Sequence, residues 1–147
     1  MRCTVLILVL LMTAGVAGAV DVTENTNALK KLTDAQAAAL ANGRPGTLWL
    51  NGLTSLTDAQ AAVLARHRGN LFLDGLTTLS DAQAEAFGTH RDGLSLNGLT
   101  SLTDAQAEAL AKHEDWLSLY GLTTLTDNAA AALRANPQIS LSDKFKR

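Results

Sequence analysis

Along most of this chain the apolar and polar positions follow one phrase that returns. L-x-L-x-G-L-T-x-L-[ST]-D begins at Leu48, Leu71, Leu94 and Leu117, each start 23 residues after the last, and every copy runs into an alanine-rich stretch. A degenerate copy covers residues 29–40, and Ile139-Ser140-Leu141 opens a further one. A fixed period in this range is the mark of a solenoid, where a unit buries its apolar face only against its neighbours.

Within a copy the pattern predicts a strand, a turn and a capped helix. Leu71-Phe72-Leu73 alternates, which puts both leucines on one face of a short strand. Gly75 follows, with Gly52, Gly98 and Gly121 at the same place in the other copies; such recurrence is expected of a position with positive φ. Leu76 and Leu79 continue inwards. Ser80 then starts a helix of about nine or ten residues, with Asp81 in the first turn and Gln83 completing a capping box. The box recurs as Thr33 with Gln36, Thr57 with Gln60 and Thr103 with Gln106, whereas Thr126 is followed by Asn128 and Ala129. Ala61, Ala84, Ala107 and Ala130 share a helix face with Leu64, Phe87, Leu110 and Leu133; Glu85 and Glu108 fall on the other.

The expected fold class is α/β: a right-handed strand–helix solenoid with short parallel strands on the concave side and short helices on the convex side. Its ends read as caps. Glu24, Asn25 and Thr26 are too polar for a central strand, and Lys144 stands where Leu76, Leu99 and Leu122 stand, with Phe145 placed to fold over the last leucine layer. The organisation that results is a signal peptide at 1–19, a degenerate capping repeat at 20–47, four 23-residue repeats at 48–138 and a partial repeat with its cap at 139–147.

The signal peptide is read from Arg2, the apolar run Val5 to Met12 and the small-residue site Ala17-Gly18-Ala19. Its removal takes the only cysteine, Cys3, so the mature chain has no disulfide and no cysteine metal site. It also takes Arg2, leaving eleven basic against fourteen acidic side chains; that weak balance argues against nucleic acid as a partner. The expected location is secreted or periplasmic, with no membrane insertion once the signal is gone.

The phrase from Leu94 to Asp104 resembles leucine-rich repeats, and the alanine-rich helices are similar to a short 23-residue variant in exported bacterial proteins. The resemblance implies parallel strands lining a concave face that binds proteins. The sequence departs from that pattern in lacking the usual leucine before the strand, where Arg68, Arg91 and Glu114 stand. It also carries Leu53, Leu76, Leu99 and Leu122 where an asparagine or cysteine ladder is usual, so no such ladder is expected there.

Side chains that alternate away from the core form the candidate surface: Thr47, Trp49 and Asn51; Asn70, Phe72 and Asp74; Gly93, Ser95 and Asn97; Trp116, Ser118 and Tyr120. Four of the six aromatic side chains, Trp49, Phe72, Trp116 and Tyr120, fall on it, although the leucines already fill the inside. Aromatics on a rigid face are typical anchors for a partner. The candidate ligand-binding set is therefore Trp49, Asn51, Phe72, Asp74, Ser95, Asn97, Trp116 and Tyr120. Two aromatic clusters are expected, with a polar dip at Gly93, Ser95 and Asn97 between them.

The function this suggests is non-catalytic recognition of a protein partner. A cell-surface glycan on the same aromatics is the alternative, as is a structural repeat that associates end to end. No histidine shares the face with Ser95, Ser118 or Ser140, and Asp74 has no second carboxylate there, so neither catalysis nor a cofactor is expected. His67, His90 and His113 recur at one place and invite a metal, but Asn42 and Asn136 take the equivalent places. Capping of helix C-termini accounts for all five, so no metal is expected. Stacked imidazoles repel when charged, which predicts lower stability at mildly acidic pH.

Overall fold

The computed structural model describes residues 26–43 and 45–146; the signal peptide expected at 1–19 lies outside them, as do Glu24 and Asn25. Helices and strands alternate: α1 (Asp34–Ala41), β1 (Leu48–Trp49), α2 (Asp58–Leu64), β2 (Leu71–Phe72), α3 (Asp81–Gly88), β3 (Leu94–Ser95), α4 (Asp104–Leu110), β4 (Leu117–Leu119), α5 (Asp127–Arg134) and β5 (Ile139–Leu141). The strands form one parallel sheet in the order β1-β2-β3-β4-β5. Leu48, Leu71, Leu94 and Leu117 lie side by side in successive strands, so the sequence period is the sheet register. This is an α/β repeat solenoid.

The core is a stack of leucine layers closed by the helices. Leu50, Leu73, Leu96 and Leu119 are fully buried, as are Leu64, Phe87, Leu110 and Leu133 on the helices facing them. Each apolar layer is covered on both sides only because a neighbour supplies the second half. The helices are seven or eight residues long, shorter than the pattern suggests.

The capping boxes form in α1 to α4, and the glutamines of α2 to α4 do a second task. Gln83 accepts the Ser80 backbone N–H at 3.1 Å through Oε1, while its Nε2 donates to the Leu56 carbonyl of the previous repeat at 2.8 Å. Gln60 and Gln106 donate to Leu32 and Leu79 in the same way, and also to Asp34 and Asp81. A residue that caps a helix start locally thus also fixes the distance between helices, which explains why these glutamines are buried.

The recurring glycines have a different cause from the one expected. Positive φ among the described residues occurs only at Gly46 and Gly69. At Gly98 a Cβ would lie 2.0 Å from the Asp74 carbonyl oxygen, and at Gly75 2.3 Å from that of Asn51. Successive turns pack backbone against backbone, and only a hydrogen fits between them.

Both ends are covered. At β1, Thr26 Oγ1 donates to the Trp49 carbonyl at 2.6 Å, and Asn27 Oδ1 accepts the Asn51 N–H at 3.1 Å. Side chains there stand in for a further strand. At the other end Phe145 is buried against the last leucines, as expected, and Lys144 Nζ donates to the Thr123 carbonyl at 2.7 Å.

Candidate functional site

The sheet face opposite the helices carries the aromatic residues, and the structure links three of them. Trp49 and Phe72 are register partners and stack with centroids 4.1 Å apart and planes at 16°. Trp116 tilts against Phe72 at 5.8 Å and 55°, although β3 lies between β2 and β4. It reaches across because Gly93 has no side chain: a Cβ there would meet Trp116 Nε1 at 2.1 Å. The two clusters with a dip between them are thus replaced by one strip, Trp49–Phe72–Trp116, and the indole covers Gly93. Tyr120 stands at the C-terminal end of β4 and is 54 % exposed; Trp49 is 48 % exposed.

The polar members of the candidate set form a second feature, a ladder between repeats. Asn51 Oδ1 accepts the Asp74 N–H at 3.1 Å, Asp74 Oδ1 that of Asn97 at 2.8 Å, and Asn97 Oδ1 that of Tyr120 at 2.9 Å. Asn51, Asp74 and Asn97 each precede the recurring glycine, and Asn27, which precedes Ala28, extends the ladder by one rung. Leu53, Leu76, Leu99 and Leu122, two residues further on, are buried and apolar and make no ladder of their own. The serines join the polar ladder: Ser95 Oγ donates to Asp74 Oδ1 at 2.5 Å and Ser118 Oγ to Asn97 Oδ1 at 2.8 Å. Asn97 Nδ2 in turn donates to Ser95 Oγ at 2.9 Å. Ser95 is buried, and Asn51, Asp74 and Asn97 are half-buried. Alternation along a strand finds the face of these residues, but not the backbone N–H that each one meets.

Removing a ladder member should therefore act on stability. Asn97→Ala leaves the Tyr120 N–H and the Ser118 hydroxyl without that acceptor and is expected to cost about 1–3 kcal/mol in urea denaturation. Asp74→Asn, which matches Asn51 and Asn97, is expected to be close to neutral.

The three histidines lie at the opposite edge, in the turns that lead into the strands, and all are buried. His90 and His113 do bond helix-end carbonyls, but those of the preceding repeat, and His67 bonds a loop carbonyl. His90 Nδ1 donates to the Ala65 carbonyl at 3.0 Å and His113 Nδ1 to that of Phe87 at 3.2 Å. His67 Nε2 donates to the Gly46 carbonyl at 2.7 Å, and Asn136 Nδ2 reaches Ala111 and His113 at 2.9 and 2.7 Å. None of them has the left-handed backbone of a C-terminal cap residue. Among the described residues no group of three or more His, Cys, Asp or Glu side chains is arranged to hold a metal ion. A shallow hollow lined by Gly88, Thr89, Arg91, Lys112 and Glu114 opens at this edge.

No family model matches the chain, and no curated protein or solved structure matches it at a significant level.

Proposed function

We propose that this chain is an exported, non-catalytic binding module of leucine-rich-repeat type, which recognises a protein partner through the aromatic strip. The observation that carries the reading is Trp49, Phe72 and Trp116 in ring contact along one sheet face, with Trp49 half exposed. Large aromatic rings on a preformed sheet lose little entropy on binding, and such residues dominate interface energetics. The polar side chains beside the strip already serve backbone N–H groups of neighbouring repeats. That favours a partner offering apolar side chains over a glycan, which needs unspent donors and acceptors. Phe145, buried over the last leucine layer, argues against growth of the solenoid at that end.

The test is a tryptophan-fluorescence titration of the chain from Val20 against fractionated exported proteins and, separately, cell-wall glycans. Trp49→Ala and Trp116→Ala are each expected to weaken the saturable response to a protein fraction by roughly thirty-fold, the effect of losing an anchor residue. A response only to glycans would move the reading to carbohydrate. Binding that both variants leave intact would remove the strip from consideration.

A further inference from the structure

The histidine column has chemistry that capping alone does not require. Each imidazole uses one nitrogen to donate to a carbonyl, while the other, His67 Nδ1, His90 Nε2 or His113 Nε2, is buried with no hydrogen-bond partner. A neutral ring fits this site, with its proton on the bonded nitrogen and a bare lone pair on the other. A second proton would put a charge on a buried ring whose other nitrogen has no hydrogen-bond partner, and such a group is costly to bury. Asn136 makes the equivalent carbonyl bonds with an amide that does not titrate. The inner repeats thus carry a titratable version of a device that the last repeat builds without one.

The position of the column ties it to the aromatic strip. His113 lies three residues before Trp116, and His90 three before Gly93, on which the Trp116 ring rests. Both halves of that contact therefore belong to turns held down by a histidine. Around His113 stand His90, its ring 6.1 Å away and nearly parallel, with Arg91 and Asp92 from the preceding repeat. Lys112, Glu114 and Asp115 belong to its own turn, and the uncharged Asn136 comes from the following one.

We propose that the histidine column is an acid-sensitive latch on the aromatic face: neutral, it ties each turn to the repeat before it, and protonation releases the turns that hold Trp116 over Gly93. The inference rests on the strip being the binding surface for its biological meaning, but the latch itself can be read without a ligand. Burial holds His113 below its ordinary value of 6.5, and a charge on His90 acts in the same direction; the Phe87 carbonyl, Asp115 and the Asp92 backbone oppose them. The unfolded chain then takes up a proton more readily than the folded one. Stability is accordingly full above about pH 6.5 and is lost as the pH falls below it.

The experiment compares the parent with the triple variant His67→Asn, His90→Asn, His113→Asn, and with His113→Asn alone should the triple not fold. Both are made in a Trp49→Phe background so that Trp116 is the only tryptophan. Between about pH 7.5 and pH 5 the parent is expected to lose roughly 4–8 °C in Tm, with Trp116 becoming more accessible to acrylamide. The asparagine variants should show a flatter response in both. A parent whose Trp116 quenching does not change over that range overturns the latch, as does an asparagine variant with the same pH dependence. An acid response in a protein whose partner binding ignores Trp116→Ala would keep the latch and sink the binding reading instead.

Discussion

Replacing Gly98 by alanine is expected to cost about 3 kcal/mol or more, at or above the upper end for an overpacked site. The added methyl would lie 2.0 Å from the Asp74 carbonyl oxygen and 2.6 Å from that of Leu76. Both are backbone atoms, so no side chain can turn aside to make room. Relief requires the two turns to part, and that pulls on the Asp74–Asn97 rung and on the leucine layers beneath. Gly46→Ala is the control, since nothing lies within 4 Å of its Cβ position and only its φ of +154° opposes the change. Thermal and urea unfolding of the two variants would separate the causes. A Gly98→Ala protein that melts with the parent would mean the turns are not in backbone contact.

Phe87→Ala is the second large effect, expected at about 3–5 kcal/mol because a fully buried ring is lost from the central repeat. Phe87→Leu is expected to cost less than about 1.5 kcal/mol, since Leu64, Leu110 and Leu133 fill the same place in the other helices. In a solenoid the loss falls on a layer shared with both neighbours, so the unfolding curve of the alanine variant should broaden as the two halves uncouple. Equal costs for leucine and alanine would show that the site depends on the shape of the ring rather than on filling the layer.

The aromatic face illustrates where sequence reasoning reaches its limit. Period-two alternation assigns Trp49, Phe72 and Tyr120 to the side away from the core, and the structure agrees. The Trp49–Phe72 pair follows from the register, but Trp116 does not pair with Tyr120 as its strand would suggest: it crosses a whole strand to reach Phe72 and depends on the absence of a side chain at Gly93. Asn51, Asp74 and Asn97 were legible as surface polar residues, but their acceptors turn to the next repeat's backbone. That choice is set by the spacing of adjacent turns, which no single repeat contains.

The sequence by itself determined what is local or strictly periodic. The 23-residue period set the register of β1 to β4, the capping boxes set where α1 to α4 begin, and the leucine spacing set the core. Each of these follows from positions within one repeat together with the rule that copies stack alike. Only the tertiary structure decided what happens between repeats. Glycine is required there by close backbone approach, histidine reaches the helix end of the preceding repeat, and the buried glutamines bridge one helix start to the last. These depend on interatomic distances across a stacking interface, and a linear pattern fixes which residues meet there without fixing which of their atoms touch.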